Sequence, residues 1–113
     1  MLHGRPDPAD QPAGQNRREA IEWLGKAAVQ GLPRAQVKLA EVYASPPLDR
    51  GDEVRACTWF LVATTSVSGI HLHRAKTEFE RLAAGLRPGQ LREAKRCARA
   101  ILTHLRERAS ASA

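Results

Sequence analysis

The side chains best suited to proton transfer, metal binding or nucleophilic attack in this chain are four histidines and two cysteines. His71 and His73 form an H-x-H pair. On a strand both rings would point the same way, but at a helix start they diverge, and no third ligand is close in sequence. Cys57 and Cys97 stand alone, outside any C-x-x-C spacing, and each falls within a helical pattern. Both read as small buried residues. A nucleophile, base and orienting group would have to be assembled from His3, His71, His73 or His104 with scattered serines or cysteines, and none of these sits in a recognisable turn motif. The residues therefore predict no catalytic centre, no metal site and no cofactor.

Charge is the next source of chemistry. The net charge of +6 suits an acidic protein, a nucleic acid or an anionic surface. Arginine far outnumbers lysine and is spread over every predicted helix, which is the pattern of solvated helix faces. The opening MLHGRPDPADQPAG carries prolines and acids where a signal peptide needs an apolar run, and no later stretch approaches the ~20 apolar residues that span a bilayer. This predicts a cytoplasmic chain without a membrane segment, or a periplasmic one if a leader precedes it.

The elements that must position these groups are helices. The 113 residues, 42% of them hydrophobic, are enough for one domain with one small core. Apolar residues are mostly Ala and Leu, and β-branched residues seldom alternate with polar ones, so sheet is not expected. Residues 1–15 hold Pro6, Pro8 and Pro12 with no apolar period and read as a flexible tail. Asn16 and Glu19 have capping-box spacing, predicting helix one from near Arg17, with Ala20, Trp23, Leu24, Ala27 and Ala28 inward and Gly31 as its stop. Pro33 opens helix two, whose stripe is Ala35, Leu39, Val42 and Tyr43. The run SPPLDRG ends it, and Asp52 is placed to cap helix three, VRACTWFLVATT. Helix four is expected from about Leu72 to Leu86 with Ala75, Phe79, Leu82 and Ala83 inward. Helix five begins at Pro88 with Leu91, Ala94, Ala98, Ile101 and Leu105 inward, and residues 109–113 read as a disordered tail.

Helices one and three carry the same pattern at a fixed offset. Ala20, Trp23, Leu24 and Ala27 each lie 36 residues before Ala56, Trp59, Phe60 and Ala63, which argues for a repeated helical unit with both tryptophans packed inside. EWLGKAAVQG, then PRAQVKLAEVYA, then D-x-x-x-A-x-x-W-F over Asp52 to Phe60, resembles the Sel-one-like repeat family, relatives of the tetratricopeptide repeats. Ala35 to Tyr43 matches that family's A-Q-x-x-L-A-x-x-Y helix and Ala56 to Thr64 its A-x-x-W-F-x-x-A-A helix. Leu82 to Leu86 followed by Pro88 to Ala94 is similar to its C-terminal ending. The chain departs from the pattern at Pro46, Leu48 and Asp49, where a glycine-rich loop is usual, and at Arg87, where a capping Thr is usual. Two cysteines 40 residues apart do not fit the disulfide-bonded secreted branch.

The resemblance implies an all-α solenoid of antiparallel helix pairs over residues 16–108, about two and a half repeats in five helices, acting as a non-enzymatic protein–protein interaction module. The alternative is a basic helical domain that binds nucleic acid through helix five, where Arg92, Lys95, Arg96, Arg99 and Arg106 lie off the apolar stripe. For a protein partner the candidate contacts are Arg34, Lys38, Glu41, Arg74 and Glu78, charged positions beside the buried stripes of helices two and four. Helix one lacks the helix that would precede it in the repeat, and carries Ile21, Trp23, Leu24 and Val29 around more than one side. That predicts an open end able to join a second copy or a further part of a longer array.

Overall fold

Glycine and proline mark most of the helix boundaries in this chain. The computed structural model describes residues 13–46 and 50–112. Among them run α1 (Ala13–Ala28), α2 (Pro33–Tyr43), α3 (Arg50–Ala63), α4 (Gly69–Ala83) and α5 (Pro88–Ser112), with no strand. The all-helical class is as the apolar pattern predicts.

The first helix stops on Gly31, whose φ of +91° is open to glycine at no steric cost. Its amide donates to the Ala28 carbonyl and the Leu32 amide to that of Ala27, the paired bonds of a Schellman ending. Pro33 then opens α2 with its missing amide in a place that needs no donor. At the last junction Pro88 again stands first, and the Gln90 side chain accepts the Arg87 amide at 2.9 Å, half of a capping box.

Several boundaries differ from the sequence reading. Helix α1 already runs at Ala13, since nothing after Pro12 bars a helix, and Asn16 lies in its first turn instead of capping it. The first twelve residues of the expected tail lie outside the described residues, as do 47–49 and 113. Asp52 likewise sits inside the first turn of α3, which begins at Arg50. Helix α4 starts at Gly69, where a φ of +59° turns the chain straight into the helix, and it closes at Ala83. At the other terminus α5 continues to Ser112, because Ala and Ser after Arg108 contain no helix breaker, so 109–112 are helical and not a disordered tail.

Helix α3 is the centre. It packs against α2, α4 and α5, whereas α1 packs chiefly on α2. Ala56, Cys57, Phe60, Val62 and Ala63 are buried, with Val54, Thr58 and Trp59 nearly so. These positions occupy every side of the helix, as expected of one enclosed by neighbours. One cluster joins Ala28, Ala35, Leu39 and Ala40 to Trp59, Phe60, Val62, Ala75 and Ala98. A second gathers Val54, Cys57 and Ala94 beneath Phe79, Leu82, Ala83 and Leu86. Alanines at the crossings let helix axes come close without voids.

Two polar groups fasten this arrangement. The Arg17 guanidinium, on α1, donates from Nη1 to the carbonyls of Val42 (2.6 Å) and Ser45 (2.8 Å) and from Nη2 to that of Tyr43 (3.1 Å). Its Nη2 also meets Asp52 Oδ2 at 3.0 Å, at the start of α3. One side chain thus ties three helices. Gln36 is buried outright, ahead of the expected Val42 and Tyr43, and its Nε2 donates to the Ala28 carbonyl at 3.2 Å.

The two tryptophans part company. Trp59 is 9% exposed, as the repeat predicts, but Trp23 is 76% exposed. The reason is that α3 has neighbours on three sides, while α1 leans on α2 and leaves the Trp23 side uncovered. Replacing Trp59 with Ala should therefore cost about 3–5 kcal/mol, while Trp23→Ala in dilute solution should cost well under about 1 kcal/mol. Urea unfolding of both variants checks this, and equal losses would contradict it.

Arg17→Ala should cost about 2–4 kcal/mol, because several half-buried carbonyls and a carboxylate lose a shared donor. Arg17→Lys should recover only a part, since an ammonium cannot reproduce the planar fork. Full recovery by lysine in the same unfolding assay would show that charge alone matters there.

Candidate interaction surface

Helix α2 buries Ala35, Gln36, Leu39 and Ala40, which turns Arg34, Val37, Lys38 and Glu41 towards its other side. With Val67 and His71, at the entry to α4, four of these α2 side chains line a groove of about 430 Å³. Arg74 on α4 reaches across, its Nη2 3.6 Å from Glu41 Oε2, and Lys38 Nζ lies 3.9 Å from Glu41 Oε1. Four of the five expected contact residues, Arg34, Lys38, Glu41 and Arg74, are therefore neighbours. The fifth is not. Glu78 sits further along α4 and is held by Arg81, with Nη2 at 2.6 Å and Nε at 3.2 Å.

The groove has three cations to one carboxylate, over a floor containing Val37 and Val67. Lys38 and Arg74 are well exposed, so their ion pairs to Glu41 are screened and hold the side chains only loosely. A second groove, lined by Leu24, Leu32, Pro33 and Ala35, shares Arg34 and Lys38 with the first. These two cations stand on a ridge of α2 between two depressions. Sequence reasoning missed the valines and His71. Val37 lies off the apolar stripe of α2, which is a visible signal, but Val67 falls in a break and its place depends on the tertiary fold.

The remaining chemical side chains do not converge. His71 and His73 are exposed on α4, His104 is exposed on α5, and His3 lies outside the described residues. Among the described residues no three of His, Cys, Asp and Glu come together. Cys57 is buried between α3 and its neighbours, and burial, with a smaller push from the Glu53 charge, raises its thiol pKa to about 11. It is a protonated thiol at neutral pH, the reverse of an activated nucleophile. Cys97 is half-buried beside Arg55, Thr58, Trp59 and Glu93 in a groove between α3 and α5. No helix of the described residues is long and apolar enough to cross a membrane.

The Cys57 thiol makes stability depend on pH in the alkaline range. Its folded pKa of about 11 lies above the ordinary 9.0, so between these values the unfolded chain releases a proton that the folded chain retains. Stability from this group is intact below pH 9.0, falls as pH rises, and has gone above about 11, a loss of about 3 kcal/mol in all. Denaturant melts of the native chain and Cys57→Ala across this range should show a steeper decline for the native chain. Parallel declines would mean that other groups account for it.

The chain matches no protein-family model, no curated protein and no solved structure.

Proposed function

We propose that this chain is a non-enzymatic protein–protein interaction module, a short α-solenoid of the Sel-one-like repeat kind, which takes its partner in the groove between α2 and α4. The observation that carries the reading is the cationic ridge of Arg34 and Lys38, joined by Arg74 across the groove, on side chains that the core does not use. The complementary partner is a protein segment with acidic side chains and at least one apolar residue to cover Val37 and Val67. Support for the repeat reading comes from α3, whose Trp59 and Phe60 pack between neighbouring helices as the A-x-x-W-F pattern requires.

A second reading rests on α5. Arg92, Lys95, Arg96, Arg99, Arg106 and Arg108 are all exposed along one 25-residue helix, a footprint that suits a nucleic-acid backbone. Their neighbours Glu93 and Glu107 interrupt it.

Charge reversal at Lys38 and Arg74 together should weaken capture of an acidic partner about tenfold or more, yet shift unfolding by less than about 1 kcal/mol, as both residues are exposed. Unchanged capture moves the contact elsewhere. Tight binding to random duplex whose log affinity falls linearly in log salt, and which is lost on reversing Arg96 and Arg99, would favour the second reading.

A further inference from the structure

We propose that the uncovered face of α1 is a self-association surface, on which two copies of this chain pair antiparallel through Trp23. The helix packs on α2 through its inner side, where Ile21, Leu24, Ala27 and Ala28 join the core, and among the described residues no element faces its opposite side. Towards that side Ala20, Trp23 and Ala27 recur at spacings of three and four, the period of a helix-pairing seam, with Trp23 exposed and the half-buried Ala27 at the edge where the seam meets the core. Trp23 stands 76% exposed between two alanines. A large side chain flanked by small ones is complementary to the same sequence run in reverse, so Trp23 of each copy can lie over Ala20 of the other.

The charges beside the seam choose the partner and the direction. Glu19 and Lys26 flank Trp23 on the same edge, one a turn before it and one a turn after, and both are exposed. In a parallel pair the same edge of the two helices falls on opposite sides of the seam, so Glu19 and Lys26 of the two copies do not meet. In an antiparallel pair Glu19 of one copy meets Lys26 of the other, twice by symmetry. Lys26 is already drawn to the seam, its Nζ 5.8 Å from the centre of the Trp23 ring. A face that is self-complementary in both size and charge fits a second copy of this chain better than a uniformly charged partner. The association is weak, since one helix of 16 residues offers a seam of only about 24 Å. It involves none of Arg34, Lys38, Glu41 or Arg74 and stands apart from the proposed groove.

Sedimentation equilibrium of the full chain from about 10 µM to about 1 mM tests the proposal, with each variant checked for folding by circular dichroism. The native chain should pass from monomer to dimer, and Trp23→Glu should remain monomeric. Glu19→Lys and Lys26→Glu should each weaken the dimer about fivefold or more, because each brings like charges together, and the double exchange should restore it. Reversal at Lys38 and Arg74 should leave the dimer unchanged, which separates this contact from partner capture. A native chain that is monomeric throughout would overturn the proposal, as would a double exchange that fails to restore pairing while both singles remain folded. If deleting residues 1–12 turns a monomeric native chain into a dimer, the leading segment is the native occupant of the Trp23 face and the proposal is likewise overturned.

Discussion

Burial of α3 on nearly every side beyond Arg55 is the constraint from which the rest of the structure follows. A helix so nearly enclosed needs neighbours on most sides, and α2, α4 and α5 provide them. It also requires that its own polar groups be settled locally. Thr58 accordingly donates to the Val54 carbonyl at 2.8 Å, with the Ala94 carbonyl at 3.4 Å on α5, and Cys57 remains a neutral thiol. Small residues carry the contacts: Ala56, Ala63, Ala94 and Ala98 are buried almost without remainder. Close approach of this kind gains dispersion energy over many atom pairs while adding little side-chain entropy to lose.

Attachment of α1 follows a different physics. With no layer beyond it among the described residues, α1 contributes Ile21, Leu24, Ala27 and Ala28 to the core, and polar bonds supply what area does not. Arg17 serves carbonyls at the end of α2 that have no intrahelical donor, and the same guanidinium meets Asp52 near the positive end of α3. Gln36 does the corresponding task at the other end of the α1–α2 contact, reaching the Ala28 carbonyl. Helix one is thus pinned at both ends by side chains and packed in the middle by apolar ones.

The helices and most of their breaks were legible because glycine and proline act locally. Gly31, Pro33 and Pro88 do what their backbone chemistry dictates, whatever surrounds them. Starts without such a marker were less legible, as at Ala13 and Gly69, where propensity extends a helix past a weak cap. The fate of Trp23 was not legible at all. Periodicity assigns a residue to a helical face, but only the presence or absence of a neighbour decides whether that face is dry. Arg17 was hidden for a related reason: its partners lie 25 to 35 positions away, and no local pattern marks a cation that will serve them. Of the proposed contact surface, Arg34, Lys38, Glu41 and Arg74 were legible as the wet edges of two helices, whereas Glu78 turned to Arg81 on its own helix, a pairing three residues apart.

A chain whose central helix is taken up by packing has only outer faces left for function, and these faces differ in what they can tolerate. Exposed charges on α2 and α4 lie over a core they do not touch, so they can change with a partner at little consequence for folding. The Trp23 face is more restricted, since Ala27 and Leu24 behind it belong to the core as well as to the helix that carries the seam. Any change that enlarges Ala27 to improve pairing would press on that core, while any change to Trp23 acts on the outer side alone. The proposed association through α1 would therefore be tuned through Trp23, Glu19 and Lys26, and the proposed groove recognition through Arg34, Lys38 and Arg74, with α2 packed between α1 and α3.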